Sequence, residues 1–301
     1  MKLFEQSGTQ LKTIRSNPFK LEKEIQNVVE GNVEELFGLE FVESELSIGG
    51  FRFDTLCFDN ETNSFVIIEY KKGSSYSVID QGYTYLSILL NNKSDFILEY
   101  NETKRKSLKR DEVDWSQSRI IFVSPKFNEY QLNSVNFKDI PFELWEIKRY
   151  SNKTIGLDQI ITHSDESVSE LQNSNKGVLK QVKDEIKVYS EQYHFERINE
   201  DIKEIYIKLR DKIFEWDDVV VGYKRHYISF SYGKKVFLYV NTTKKHLRLE
   251  FFKNEFSLED PYTPFEVFEL KSNTIYSYRL KDESEIDRCL ISIKEKYESL
   301  K

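Results

Sequence analysis

The sequence predicts an α/β protein, a mixed sheet flanked by helices, followed by a small α+β domain. Three observations predict it. Aromatic and β-branched residues run from Phe51 to Lys71, broken once by the polar turn Asp59–Ser64, and this reads as a hairpin. Next, Val78–Leu90 repeats Ile79, Tyr83, Leu86, Leu89 and Leu90 at helical spacing, so a helix follows the strand. Beyond residue 154 the composition turns Ser-, Asn- and acid-rich, and a new set of helices and hairpins begins after it. With 301 residues the chain is long enough for two domains.

Taken in order, residues 1–18 read as a polar lead-in. Phe19–Phe37 reads as one helix, with Leu21, Ile25, Val28, Val29 and Leu36 on its apolar stripe. Gly31 weakens its middle by about 1 kcal/mol relative to alanine. Leu39–Leu46 is a strand, and Gly49-Gly50 turns it into the hairpin. The loop Gly73–Ser77 leads into the helix, and Asp95–Tyr100 reads as the next strand. Phe65–Tyr100 is then a right-handed crossover with parallel strands. The basic run Glu102–Arg110 is a solvated face or a phosphate contact. Arg119–Val123 is a core strand, Phe127–Val135 a short helix, and Phe142–Lys148 a last strand at an edge. These assignments give a domain over residues 1–153, a linker over 154–176 and a second domain over 177–301. In the second domain Val178–Tyr189, Ile198–Phe214 and Glu283–Tyr297 read as helices. Tyr227–Ser231, Lys235–Asn241, His246–Phe252 and Ile275–Leu280 read as strands.

The hairpin carries the chemistry. If Phe58 faces Phe65 across the turn, Asp54 falls opposite Glu69. Period-2 alternation puts Glu69 and Lys71 on one face of their strand. Opposed carboxylates with Cβ atoms roughly 5 Å apart repel. Such a fold needs a compensating cation. Lys71 supplies part of that charge, and a hard divalent metal would supply more.

Asp54 followed by Glu69-Tyr70-Lys71 resembles the D…(D/E)-x-K signature of the PD-(D/E)XK nuclease superfamily. Phe53 stands where that family usually has proline. Gln81 and Tyr85 on the next helix resemble the Q-x-x-x-Y element of its RecB-like or NucS-like branch, and Glu24 sits on an upstream helix where many members carry an acid. The resemblance covers about residues 19–150. The remainder resembles an uncharacterised domain of the kind often labelled "predicted transport protein". The resemblance implies a restriction-endonuclease-like fold and a metal-dependent endo- or exonuclease that hydrolyses phosphodiester bonds of nucleic acid, DNA foremost. It implies Mg²⁺, with Mn²⁺ able to substitute, held by Asp54, Glu69 and the Tyr70 carbonyl. Lys71 would orient water, and Gln81, Tyr85 and Glu24 would complete the catalytic set. Each helix residue also has a plainer reading: Glu24 as a solvated glutamate, Gln81 and Tyr85 as a helix–sheet boundary. The alternative for the whole domain is an inactive nuclease-fold module that binds nucleic acid or a protein partner. Homodimerisation is left open.

Composition narrows the classes further. No run approaches 18 apolar residues, so no membrane span is expected, and the N-terminus lacks the apolar core of a signal peptide. Cys57 and Cys289, with no CxxC motif, point to a reduced, cytoplasmic protein without structural zinc. The four histidines show no ligand spacing. A net charge of −7 excludes a protein that coats nucleic acid over its whole surface, but not one with a local basic patch. Lys224-Arg225, Lys234-Lys235 and Lys244-Lys245-His246-x-Arg248, interleaved with Tyr223, Tyr227, Tyr232 and Tyr239, form such a pattern. It suits a nucleic-acid surface or the solvated face of a half-buried sheet.

Overall fold

The computed structural model describes residues 2–72, 78–134, 140–160, 176–253, 256–269 and 273–301. The chain divides into two compact units, residues 1–188 and 189–301. The first is a mixed α/β unit and the second is rich in antiparallel sheet, the fold class expected from the sequence.

The first unit opens on a small hairpin, β1 (Leu3–Ser7) with β2 (Gln10–Ile14), where the sequence suggests only a polar lead-in. Most of its side chains are exposed, so hydrophobic patterning gives no strand signal there. The single helix expected over Phe19–Phe37 is two: α1 (Glu22–Glu30) and α2 (Val33–Phe37). The break falls at Gly31-Asn32, where the Asn32 side chain donates to the Val28 carbonyl at 2.8 Å.

The central sheet has six strands: β3 (Glu40–Ile48), β4 (Phe51–Asp59), β5 (Ser64–Tyr70), β6 (Arg119–Ser124), β7 (Phe142–Arg149) and β8 (Ile155–Ile160). They lie in that order, parallel at β5–β6 and β6–β7 and antiparallel elsewhere. Gly49 and Gly50, with φ of 62° and 79°, make the two-residue turn between β3 and β4, a conformation that suits glycine. One face of the sheet buries Cys57, Val66, Ile68, Tyr70 and Ile121 with Ile25 and Val29 of α1. The other buries Leu56, Phe58, Phe65, Ile67 and Phe122 under α3 (Val78–Asn91) and α4 (Lys93–Lys104). The short helix α5 (Glu129–Ser134) follows β6.

Three assignments change. Asp95–Tyr100 is helical, part of α4, and the crossover from β5 returns in β6. Phe96 and Tyr100 are four apart and both buried, a helical pair that a short apolar stretch cannot distinguish from a strand by pattern alone. The expected edge strand Phe142–Lys148 is interior, because β8 pairs along it from Leu144↔Ile160 to Arg149↔Ile155. The boundary at residue 153 therefore cuts through the sheet. The first unit also keeps α6 (Lys176–Glu185): Val182 and Ile186 enter its core, and Gln181 accepts from Ser87 at 3.1 Å. Of the expected linker 154–176, residues 161–175 lie outside the described residues. So do the loop Gly73–Ser77 and Val135, the last residue of the expected short helix. A chain ending at residue 153 is therefore expected to be insoluble or molten, whereas one ending at Val188 should give a cooperative melt. Equal melts of the two would return the boundary to 153.

The basic run Glu102–Arg110 is partly committed to structure. Lys106 pairs with Glu40 at 2.9 Å and bonds the Tyr100 hydroxyl at 2.8 Å, and Lys104 lies over the Phe41 ring. This favours the solvated-face reading of that run over a phosphate contact.

The second unit is one antiparallel sheet in the order β13–β14–β12–β11–β10–β9. These are β9 (Val219–Tyr223), β10 (Ile228–Tyr232), β11 (Lys235–Thr242), β12 (Leu247–Phe252), β13 (Glu266–Glu269) and β14 (Thr274–Leu280). His194, on the short α7 (Glu191–Phe195), is buried between the Thr242 hydroxyl and the Lys224 carbonyl. Burial depresses its pKa to about 4, so it is a neutral structural group. The helices α8 (Glu200–Ile213) and α9 (Ile286–Glu298) bury Ile205, Leu209, Ile293 and Tyr297 against Phe237, Leu249 and Phe251. No helix among the described residues is long and apolar enough to cross a membrane. Both cysteines are buried free thiols.

Candidate active site

The site is built at the open end of the β4–β5 hairpin. The pairs Phe58↔Phe65, Cys57↔Val66, Leu56↔Ile67 and Thr55↔Ile68 set the register. One further step brings Asp54 level with Glu69. There the strands part, and the Asp54 carboxylate itself accepts the Tyr70 N–H, at 3.0 Å from Oδ2. Across β3, the partner position of Asp54 is Glu45, which has a φ of 57° and drops out of the ladder. Gln26 of α1 donates to the Asp54 carbonyl at 3.1 Å. Asp54 is thus held by both strand and helix.

Every residue of β5 is buried, so Glu69 has only 4% of its surface exposed. Burial raises its pKa to about 9, and the neighbouring Asp54 carboxylate adds to the rise. Lys71 Nζ lies 3.6 Å from Glu69 Oε1, an ion pair just beyond hydrogen-bond length that offsets part of this. Glu69 Oε2 is buried with no hydrogen-bond partner. A solitary buried carboxylate oxygen costs free energy unless something positive meets it.

The helix α3 closes the third side. Gln81 Nε2 donates to Tyr85 OH at 2.9 Å, and that hydroxyl donates to the Arg52 carbonyl at 3.1 Å. The Tyr85 ring packs edge-on against Phe53 at 4.7 Å. Its hydroxyl pKa is raised to about 12, by burial first and then by the Glu69 charge, which places it beside the carboxylates. Gly82 lets the helix approach this closely: a Cβ there would stand 2.5 Å from the Phe142 ring. Asp54, Glu69, Lys71, Gln81 and Tyr85 therefore share one site. The Tyr70 side chain points to the opposite face, where its hydroxyl meets Thr55 Oγ1 at 3.0 Å. Only its backbone belongs with the carboxylates.

Glu24 does not reach the site. Its carboxylate pairs with Arg149 at 2.9 Å, on the side where Arg149 also stacks over Phe19. The acid of α1 that does turn toward β4 is Glu30. Its Oε1 accepts from Thr55 Oγ1 at 2.7 Å, Ser44 Oγ at 2.8 Å and Gln26 Nε2 at 2.9 Å. Gln26 and Glu30, which sequence reasoning missed, position Asp54 through its backbone and its strand neighbour. Their signal was the i,i+4 spacing beside the buried Ile25 and Val29. Glu24→Gln is accordingly expected to leave the site intact and to cost less than about 1 kcal/mol, as for a half-exposed ion pair. Any cleavage measured for the protein should be unchanged in that variant. A loss of activity without loss of stability would return Glu24 to the site.

Among the described residues no group of three or more His, Cys, Asp or Glu side chains gathers into a metal cluster. The pair is nonetheless suited to a hard divalent ion: two carboxyl groups close together, a buried Glu69 oxygen without a hydrogen-bond partner, and a Glu69 proton that such an ion would displace.

Fold and site together define an α/β protein with a carboxylate–carboxylate–lysine centre on its central hairpin. The chain belongs to the family of an uncharacterized protein from Haemophilus influenzae (strain ATCC 51907 / DSM 11121 / KW20 / Rd), with 43% identity over 238 residues, 78% of each chain. Residues 191–299, nearly all of the second unit, match a domain of unknown function, DUF5655. Similar solved structures include EndoMS in complex with double-stranded DNA (15% identity, TM-score 0.24). Alignment with it covers 45% of this chain and 51% of that one. A repair endonuclease from Pyrococcus abyssi aligns at 17% identity and TM-score 0.24, over 43% and 49%. SfsA of Pyrococcus furiosus with Ca²⁺ aligns at 12% and TM-score 0.27, over 54% and 78%. The chain spans about half the length of the first two. At these TM-scores the likenesses bear on neither mechanism nor substrate.

Proposed function

We propose that this protein is a metal-dependent nuclease that hydrolyses phosphodiester bonds, with DNA as the first substrate to test. One observation carries the reading: Asp54 and Glu69 stand level on adjacent strands, with Lys71 at 3.6 Å from Glu69 and a buried Glu69 oxygen left without a partner. That is the residue set and spacing of the D…(D/E)-x-K signature, with its three side chains gathered at one strand end.

Asp54, Glu69 and the Tyr70 carbonyl would hold Mg²⁺ or Mn²⁺. A bound divalent ion supplies positive charge to a phosphate oxygen and lowers the pKa of a water. The chain supplies the rest. Lys71 presents an ammonium on the carboxylate side of β5, placed to orient a water and to meet charge developing on a pentavalent phosphorus. Gln81 and Tyr85 fix the rim: the tyrosine hydroxyl is anchored to the Arg52 carbonyl, and the glutamine amide is anchored to that hydroxyl. Gln26 holds the Asp54 backbone from behind, and Glu30 accepts from the neighbouring Thr55 hydroxyl. The rival reading, an inactive module of this fold, has no substitution at Asp54, Glu69 or Lys71 in its favour; the one departure from the signature is Phe53 in place of proline.

The test is a panel of end-labelled single- and double-stranded DNA and RNA, incubated with Mg²⁺, Mn²⁺ or EDTA. Cleavage is expected only with metal, and Asp54→Ala should lower it by at least about 10²-fold. Metal-independent cleavage, or equal cleavage by Asp54→Ala, would assign the activity elsewhere.

A further inference from the structure

The sheet of the second unit has one face under α8 and α9, and within this unit no described helix covers the other. The strand register specifies what the open face carries. Tyr239 lies opposite Ser229 and Glu250, Asn241 opposite Arg248, and Arg248 opposite Arg279. An aromatic line crosses this face: Tyr227 meets Tyr239 at 5.1 Å, and Tyr239 meets Phe252 at 5.5 Å.

Cations collect at one end of the same sheet. The β9–β10 turn brings Lys224 and Arg225, the β11–β12 turn brings Lys244 and Lys245, and the end of β14 brings Arg279 and Lys281. Register places these three connections side by side: Tyr223 pairs with Ile228, Thr242 with Leu247, and Leu247 with Leu280. Arg248 and Arg279 face each other across adjacent strands, a repulsive arrangement that an anion would relieve. The crowding is felt by His246, whose pKa is lowered by burial and then by Arg279, Lys281 and Arg248. Of the nearby acids, Glu266 lies two register positions from Arg279, and two others are engaged. Glu250 pairs with Arg248 at 3.1 Å and accepts from Asn241 at 2.9 Å, and Asp282 caps the Ser284 N–H at 2.9 Å. Among the described residues no carboxylate pairs with Lys244, Lys245, Arg279 or Lys281. In a chain of net charge −7, this is a concentrated positive rim. Between β12, β14 and β13 this face also sinks into a hollow of about 470 Å³ lined by Ile275 and Phe268, where Arg248 and Arg279 stand with Glu250 and Glu266.

We propose that this open face binds single-stranded nucleic acid, with phosphates on the rim formed by Lys244, Lys245, Arg279 and Lys281 and bases against Tyr227, Tyr239 and Phe252. Charge complementarity selects a polyanion. The aromatic line selects one with unstacked bases, since the bases of a duplex offer no free ring face to stack on. The inference shares a substrate class with the nuclease reading but not a site, and it stands on the second unit's own surface.

The experiment uses the full chain in EDTA, where binding is read without cleavage. Fluorescence anisotropy follows a labelled oligothymidylate of roughly 30 nucleotides, titrated at about 50 to about 200 mM NaCl. The variant Lys244→Ala/Lys245→Ala/Arg279→Ala/Lys281→Ala is expected to raise Kd at least about tenfold. It should flatten the salt slope by about 3, at roughly 0.7 per lost phosphate contact. Tyr227→Leu/Tyr239→Leu should raise Kd at least about fivefold with the slope unchanged. Tyr239→Phe, which keeps the ring, should bind as the parent does. The rim residues are solvent-facing, so the four-fold variant decides the matter even if the tyrosine variant fails to fold. Absence of binding by the parent, or a parental Kd and slope in the four-fold variant, overturns the proposal. So does equal affinity for a duplex of the same length, or displacement by polyglutamate at equal charge, which would mark a surface for acidic protein. Asp54→Ala should bind the oligonucleotide as the parent does. Failure of cleavage and failure of this surface are thereby read separately.

Discussion

Lys71→Met is expected to lower the single-turnover cleavage rate by about 10²–10³-fold while the protein stays folded. The lysine lies on the carboxylate side of β5 in contact with the pair, 3.6 Å from Glu69. A hydrolysed phosphodiester gathers negative charge in the transition state, and a preset ammonium in a water-poor site stabilises that charge more than it stabilises the ground state. The cost to stability should be small without metal. Glu69 holds its proton up to about pH 9, so Lys71 has little charge to neutralise at neutral pH. Lys71→Arg keeps the charge but replaces a compact point donor by a planar fork, and should recover only part of the rate. Melts of both variants, run beside the cleavage assay, separate lost chemistry from lost fold. If Lys71→Met cleaves at the parental rate, Lys71 is only a counter-charge and takes no part in the chemical step.

The register behind that prediction was legible in the sequence because the polar turn Asp59–Ser64 leaves Phe58 and Phe65 to face each other across it. A slip by one residue would exchange Phe65 and Ile67 with Val66 and Ile68 between two buried faces that pack different helices, so packing on both sides holds the one pairing. That Gln81 and Tyr85 share one flank of the helix was legible from their i,i+4 spacing, while that the flank meets the carboxylates was what the resemblance implied. Glu24 was misplaced because it and Gln26 flank the same buried residue, Ile25. Which flank faces β4 depends on how α1 crosses the sheet, and periodicity within one helix does not encode that angle. Strand β8 was missed because Asp158 and Gln159 are exposed and Gly156 interrupts the pattern. The half-buried Ile155 and Leu157 alone carry its alternation, too short a signal against a polar stretch. The same polarity moved the domain boundary. The second unit's strands read well where aromatic residues mark them, and the short edge strands β9, half-buried, and β13, exposed, did not.

Glu69→Gln should make the metal-free protein more stable, and the size of the gain should depend on pH. In the folded state the Glu69 carboxyl titrates at about 9, against an ordinary value of 4.5, because it is buried beside Asp54. The folded state therefore holds a proton that the unfolded chain releases. Between about pH 4.5 and about pH 9 each rise in pH favours the unfolded state, so wild-type stability contributed by this group is full below pH 4.5 and is lost on the way to pH 9. Glutamine does not titrate, and its amide can donate to Asp54. The variant's advantage should thus be near zero at pH 4.5 and grow as the pH rises toward 9, by up to about 1.4 kcal/mol per pH unit. For a unit of this size each kcal/mol is a rise of about 2–4 °C in Tm. Saturating Mg²⁺ should reverse the order. On the nuclease reading a metal would bind the ionised carboxylate, displace the proton and stabilise only the wild type by mass action, so the wild-type melt should move up and the variant's should not. A purely structural Glu69–Lys71 ion pair makes the opposite forecast. Removing the glutamate charge would then leave Lys71 unpaired and destabilise the variant at neutral pH in EDTA, with no response to Mg²⁺ in either protein. Thermal melts at about pH 5 and about pH 8, with EDTA and with Mg²⁺, decide between the two. A variant that melts below the wild type at the higher pH in EDTA makes Glu69 a structural residue and removes the metal from the hairpin.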